Sequence, residues 1–385
     1  MKTVAVIFGG RSAEHDVSII TALTSIIRPL ELTGEFQVEA IYIAKDGSWY
    51  WDDRLKDVRL FQGEGITDFI QKAPKVMLSF DSGLTLVKSS QFAGRKMYRK
   101  IDVVFPAMHG TYGEDGALMG LLDMSGVPYV GCGVSASAVA MDKVLTKQVT
   151  HSEGIPSTPW TWFHASELAD SLNTILAKIE SLRYPLFVKP ALLGSSIGIT
   201  RVSDKSHLMN ALEVASHFDD KIIVEQGVIN LVEVTVPVIG NNDPVAAYVE
   251  QPLTKPEDFF DFDTKYMKGG KKIASSNQGP QGYSQIPAKL TKNLYLEAES
   301  LAIKTYLTVG CTGIARIDLL IDEKAGQVFL NEINPMPGSL YAHNWRQKGF
   351  SGHQLVTELI RLAFERHAAR GRLQTSFSTN FLKQF

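Results

Sequence analysis

A chain of 385 residues is too long for one ordinary domain and predicts two or three. Its 44% hydrophobic content supplies ample core, and a formal net charge of −2 excludes a general electrostatic pull toward nucleic acid or anionic membranes. Cys132 and Cys311 form no CxxC pair and read as free thiols, and no apolar run reaches the ~20 residues of a membrane span or forms a signal-peptide core, so a cytoplasmic protein is expected.

Residues 3–8 (TVAVIF) read as a buried strand that runs through a glycine turn into a helix from about Asp16 to Ile27. Phe36–Ile43 and Ile101–Phe105 read as further strands, Gly116–Ser125 as a helix, and residues 128–130 as the start of another strand. Strands alternating with helices predict a parallel, doubly wound first domain over residues 1–135. Residues 52–100 are less regular, with a hairpin expected around Met77–Val87. Helical sequence resumes at Ser135–Glu153. Strands at 185–190 and 197–202, a helix at 205–217 and a strand at 222–225 then predict a small α+β central domain over 136–224. The remainder, 225–385, is expected to be α+β, with antiparallel strands at 233–239, 245–250, 313–321 and 328–333 and helices near 289–308 and 352–369.

Several loops carry candidate chemistry. Residues 9–16 (GGRSAEHD) and 105–116 (FPAMHGTYGEDG) leave carboxyl ends of strands, where doubly wound sheets bind ligands. The first lacks GxGxxG spacing, which disfavours a dinucleotide oxidoreductase. Glu14 and Glu114 together suit an ammonium group, with His109 orienting the pocket. Residues 190–198 (PALLGSSIG) join two strands, and small residues there let backbone N–H groups and the Ser195 and Ser196 hydroxyls close on phosphate oxygens. Lys189 and Lys143 can add charge to the same phosphates, although a plain turn and surface lysines account for each segment taken alone. At 224–228 (VEQGV), Glu225 and free backbone groups suit an adenine edge, and Glu233 suits ribose hydroxyls. The basic loop 261–272 (DFDTKYMKGGKK) reads as a lid carrying Lys265 to phosphates, or as a solvated loop; one short patch is thin support for nucleic-acid binding.

Two β-rich runs, 313–322 and 328–334, flank a short polar stretch and predict a hairpin. Centred on Ala325, it sets Asp318 opposite Glu332 and Arg316 opposite Asn334, all on one face. Opposed carboxylates with Cβ atoms about 4.5–5.5 Å apart repel unless a cation lies between them. Carboxylate and amide oxygens suit Mg²⁺, which keeps substrate phosphates among its ligands. A solvated face with like charges opposed is the alternative.

Taken in order, these segments resemble the D-alanine–D-alanine ligase family of the ATP-grasp superfamily. The motifs are GGxSAExxVS at 9–18, HGTxGEDG at 109–116, MDK at 141–143, VKP and GSSxG at 188–198, KY at 265–266, RxD at 316–318, and NEIN with PG at 331–338. The resemblance implies an α/β, three-domain ATP-grasp enzyme that activates one D-alanine as an acyl phosphate and joins it to a second, for peptidoglycan precursor synthesis. It implies that Lys143, Lys189, Ser196 and Lys265 serve ATP phosphates, Glu225 adenine and Glu233 ribose. It assigns Asp318, Glu332 and Asn334 to two Mg²⁺ or Mn²⁺ ions. Glu14 and Ser195 would hold the first D-alanine under Tyr266, supported by His109 and Glu114, and Arg316 with the Gly338 N–H would stabilise the oxyanion. Expected partners are small molecules only, with a homodimer implied and neither nucleic acid nor membrane. One departure stands out. Where the family carries a hydroxyl that grips the second substrate's carboxylate, this chain has His343, with Ser339 earlier and Asn344 and Trp345 nearby. Either these residues bind that carboxylate, or the acceptor differs and the protein is a sister ligase. A catalytically silent nucleotide-binding protein is the reading from another class.

Overall fold

The computed structural model describes residues 1–81, 83–89, 96–253, 278–279, 282–374, 377–379 and 381–384. Strand β1 (Lys2–Gly9) is buried along nearly its whole length, as a strand covered on both faces must be. A helical run follows: α1 (His15–Ile20), a π-wound stretch Thr21–Ile27, and α2 (Arg28–Thr33). It outlasts the expected end at Ile27 because Pro29 falls in the first turn of α2, where its missing N–H is tolerated. Next come β2 (Phe36–Ile43), β3 (Trp49–Trp51), α3 (Gly65–Lys72), β4 (Met77–Ser79), β5 (Thr85–Ser89), β6 (Lys96–Lys100) and β7 (Val103–Pro106). The first sheet has the order β3-β2-β1-β7, with β1 parallel to both neighbours and β3 an antiparallel edge. The expected strand at 128–130 contributes only a bridge between Tyr129 and Val104. In the region that read as irregular, β4 and β5 form the expected hairpin, Met77 facing Val87, and β6 extends it to three strands.

After α4 (Ala117–Ser125), the helical stretch expected over 135–153 is two helices, α5 (Val134–Met141) and α6 (Lys143–Ser152). Asp142 breaks it: its carboxylate caps α6 by accepting from the Val144 and Leu145 N–H groups at 2.9 and 3.0 Å, and leaves Lys143 as the first residue of α6. A central antiparallel sheet has the order β10 (Thr200–Val202), β9 (Leu186–Pro190), β11 (Lys221–Gln226), β8 (Trp160–His164). Helices α7 (Glu167–Glu180) and α8 (Leu208–Ser216) bury Ile175, Ile179, Leu208 and Leu212 against it. The sequence reading lacked β8 and α7; β8 is a five-residue, mostly half-buried run without clean alternation.

A second antiparallel sheet is ordered β13 (Val245–Ala246), β12 (Leu231–Gly240), β17 (Gly313–Asp322), β18 (Gln327–Asn334). Alternation sends Val234, Val236, Ile317, Leu319 and Ile321 to one face, where α9 (Lys292–Val309) covers them with Ala298, Leu301 and Ala302. A small sheet, β14 (Gln251–Pro252), β16 (Gly282–Gln285), β15 (Gln278–Gly279), flanks it. The C-terminal helices are α10 (Ala342–Gln347) and α11 (Gly352–Gly371). From α11, Arg366 donates to the Tyr129 and Gly131 carbonyls and to Thr312, tying the first sheet's exit loop to the start of β17. The approach is close enough that a Cβ on Gly313 would lie 2.8 Å from the Gly131 nitrogen. Cys132 and Cys311, distant in sequence, are buried at this junction as free thiols, and Cys132 Sγ donates to the Thr312 and Ile314 carbonyls. No described helix is long and apolar enough to cross a membrane.

Candidate active site

The β17–β18 hairpin sets the site's chemistry. Near its turn the register pairs Asp322 with Gln327, half a step from a hairpin centred on Ala325. Beyond Leu319, which pairs with Leu330, a bulge at Asn331 shifts the ladder, so Asp318 faces Glu332 and Arg316 faces Asn334 as expected. Without the bulge Asp318 would meet Asn331, and Glu332 would turn toward the core. With it, Leu330 and Ile333 both stay buried, and the polar pair between them is left on the other face. Arg316 grips Asp318 with a bidentate fork, Nε to Oδ1 at 2.6 Å and Nη2 to Oδ2, while Asn334 Nδ2 donates to Oδ2 at 3.1 Å. Burial, with Glu332 adding to it, raises the Asp318 carboxyl to about 6 against the pull of Arg316. On β12, Thr235 lies opposite Asp318, and Glu233 lies opposite Leu320 on the same face.

The first sheet contributes Glu14, in the turn between β1 and α1. Its carboxylate accepts from the Ser195 hydroxyl of the β9–β10 loop. Burial raises its pKa, Ser195 opposes, Glu332 adds to the rise, and Arg316 and Lys143 oppose it. Glu14 thus contacts the central sheet's loop and feels the charges of α6 and of the β17–β18 hairpin. Backbone passes close by: a Cβ on Gly110 would lie 2.5 Å from Ser12 Oγ and 2.9 Å from Glu14 Oε2. Glu114 accepts from the Gly110 N–H at 2.6 Å, and burial with Glu14 nearby pushes it up to about 8. His109 Nε2 lies 3.0 Å from Thr21 Oγ1, which itself accepts from the Ser339 N–H. Burial lowers the pKa of the His109 ring to about 4, so the ring is neutral. Ser195 and Ser196 are left-handed, at φ 55° and 61°.

Lys143 Nζ donates to the Leu193 carbonyl at 2.6 Å and lies 3.8 Å from Glu332 Oε2. Lys189 Nζ is 3.3 Å from Glu225 Oε2 and 3.4 Å from Asn331 Oδ1, joining the central sheet to the bulge. The sequence reading missed Lys147, whose side chain is 0% exposed and 3.5 Å from the same Glu225 oxygen. One helical turn after Lys143 on α6, it shares that lysine's face, and this spacing was the available signal.

The segment after Pro337 differs from a simple carboxylate grip. Ser339, Leu340 and Tyr341 are consecutively left-handed at φ 52°, 54° and 49°. The Tyr341 ring lies 5.1 Å from the Arg316 guanidinium. His343 Nε2 is 2.9 Å from both oxygens of buried Glu250, and Asn344 donates to Glu250 and to the Tyr248 carbonyl. Despite its burial, Glu250 is held below the usual carboxylate range, His343 being the first of the groups that lower it. Lys265 and Tyr266 lie outside the described residues.

Among the described residues, no cluster of three His, Cys, Asp or Glu side chains is placed to hold a metal alone. Asp318 and Glu332 supply two carboxylates, and Asn334, whose amide nitrogen donates to Asp318, adds an amide oxygen. This all-oxygen, incomplete set fits Mg²⁺ or Mn²⁺ completed by substrate phosphate.

Family models described as "D-ala D-ala ligase N-terminus" and "D-ala D-ala ligase C-terminus" match residues 3–132 and 149–361. A D-alanine–D-alanine ligase from Acetivibrio thermocellus is 38% identical, covering 95% of this chain and 96% of the relative. One from Chlorobium phaeovibrioides is also 38% identical, covering 94% and 97%. Among solved structures, the D-alanine–D-alanine ligase of Coxiella burnetii superposes with a TM-score of 0.77 at 28% identity, covering 97% of this chain and 98% of that one. The VanG D-Ala:D-Ser ligase of Enterococcus faecalis gives the same TM-score and identity, covering 94% and 99%. With both family models matched and full-length relatives at this identity, the chain belongs to the D-alanine–D-alanine ligase family, on the ATP-grasp fold.

Proposed function

We propose that this ligase joins two D-alanine molecules into D-alanyl-D-alanine at the expense of ATP, supplying peptidoglycan precursor. The observation that carries the reading is the convergence on Glu14 of Ser195 from the central sheet and of Lys143, Arg316 and Glu332 around the nucleotide and metal face. Glu14 and Ser195 bind the ammonium end of the first D-alanine, and Glu114 and His109 brace that pocket. The substrate carboxylate attacks the γ-phosphorus of ATP, ADP leaves, and an acyl phosphate forms. The amine of the second D-alanine, having lost its proton, attacks the acyl carbon; Arg316 and the Gly338 N–H stabilise the oxyanion, and phosphate departs. Lys143, Lys189 and Ser196 hold the ATP phosphates in line, and the family resemblance assigns Lys265 to the γ-phosphate and Tyr266 to the first D-alanine. Glu225 and Glu233 bind adenine and ribose. Asp318, Glu332 and Asn334 would hold Mg²⁺ or Mn²⁺, which supplies charge neutralisation at the phosphates. The enzyme contributes position and charge rather than a nucleophile. Domain limits near residues 135 and 224 are supported by the three separate large sheets, and the two free thiols support a cytoplasmic setting.

A second reading keeps the donor and changes the acceptor. It is favoured by His343, whose Nε2 is occupied by Glu250, and by the similarity to a D-Ala:D-Ser ligase. The test is a panel in which purified protein, ATP, Mg²⁺ and D-alanine meet equal D-serine or D-lactate, with products separated by mass spectrometry. D-Alanyl-D-alanine is expected to dominate. A mixed product in excess establishes the second reading, and ATP binding without turnover of any acceptor overturns both.

A further inference from the structure

The two oxygens of Glu225, a residue 2% exposed, are treated very differently. Oε2 collects the contacts: Lys189 at 3.3 Å, Lys147 at 3.5 Å and Thr158 Oγ1 at 3.4 Å. Oε1 is out of water and has no hydrogen-bond partner among the described residues. Lys147 is under the same penalty, since its ammonium is fully buried, has no hydrogen-bond partner among the described residues, and lies 3.5 Å from Glu225 Oε2. A buried acceptor without a donor and a buried ammonium with one distant acceptor are costly, and folded proteins rarely keep both without a use. Charge balance does not require Lys147, because Lys189 already faces Glu225 and also reaches Asn331 on the phosphate side.

Resting on the nucleotide reading given above, we propose that Lys147 is a positioning residue for base selection: it fixes Glu225 as a carboxylate whose Oε1 accepts a hydrogen bond from the exocyclic amine of a 6-aminopurine nucleotide. A carboxylate can only accept, so a 6-oxopurine, which presents an acceptor at that place, is repelled. A protonated Glu225 would donate to that oxygen, and selectivity would fall. The charged groups acting on Glu225 are Lys147 and Lys143 from α6 and Lys189 from β9; they hold it at about 2 despite burial, Lys147 foremost among them. Removing the Lys147 charge lets burial push the carboxyl upward, with Lys189 and Lys143 still opposing the rise.

The experiment compares kcat/KM for ATP and inosine triphosphate in the full chain, from about pH 5.5 to about 9, for the wild type, Lys147→Met, Lys147→Gln and Glu225→Gln. Lys147→Met matches the length of the chain it replaces, and Lys147→Gln keeps a polar end should the first variant misfold. In either, KM for ATP is expected to rise about tenfold with kcat changed by less than about threefold, and the ATP preference to drop about tenfold at low pH and recover at high pH. A merely structural lysine would not move the base preference with pH. A wild-type preference at every pH in folded Lys147 variants overturns the proposal. If Glu225→Gln also leaves the preference unchanged, it is the placement of Glu225 at the base that fails; if Glu225→Gln alone collapses it, only the role of Lys147 does.

Discussion

Arg316 reaches its position through Asp318: the fork between them leaves the guanidinium no freedom to swing, and the Tyr341 ring covers its face. A lysine carries the charge but cannot reproduce the planar fork. Arg316→Lys is therefore expected to lower kcat about 10²- to 10³-fold, with KM for ATP changed far less; steady-state kinetics decide, and an equal rise in KM would place Arg316 on the nucleotide instead. Glu114 makes a prediction of opposite kind. Its folded pKa of about 8 lies above the ordinary 4.5. Between those values the folded state keeps a proton that the unfolded chain has lost, so stability falls as pH rises through the window. Melting of the wild type is expected to drop from about pH 5 to about pH 8 more steeply than that of Glu114→Gln, and parallel curves would refute the raised pKa. The candidates Glu14, Glu114, Lys143, Lys189 and Asp318 were legible in the sequence because each sits in a motif. Lys147 carried only its spacing from Lys143, which a solvated helix face explains equally well until packing shows the side chain at 0% exposure.

At the level of elements, the hairpin shows how much alternation can give and where it stops. Two apolar runs around a polar turn were enough to set Asp318 opposite Glu332, but not to show that a bulge at Asn331 is required for it. Bulges leave no residue signature here, since Asn331 looks like one more strand position. The left-handed run at 339–341 was equally hidden: none of its residues is glycine, and each costs about 1–2 kcal/mol in that conformation. Burial of Leu340 and Tyr341, at 0% and 2% exposure, and the Ser339 N–H bond to Thr21 hold it in place. Ser339→Gly is expected to stabilise the protein by about 0.5–1 kcal/mol in chemical denaturation while raising KM for the acceptor, a trade typical of strained sites. A loss of stability would mean that the strain is not relieved at Ser339.

Across the whole molecule, the order of strands and helices could be read from periodicity, but which sheets face one another could not. That depends on contacts between residues far apart in sequence: Ser195 with Glu14, Lys189 with Asn331, and Arg366 with Gly131 and Thr312. Because ligands would span these contacts, ATP with Mg²⁺ is expected to raise the melting temperature, D-alanine to raise it further, and EDTA to remove most of the nucleotide's effect. A shift with ATP that ignores EDTA would count against the Asp318–Glu332 metal set. The central claim, that the site makes a carboxylate reactive by phosphorylating it, is tested most directly by isotope transfer. D-Alanine labelled with ¹⁸O in both carboxylate oxygens, turned over with unlabelled ATP, should give D-alanyl-D-alanine that has lost one label at the new amide and inorganic phosphate that has gained it. Unlabelled phosphate released alongside the dipeptide would contradict the account.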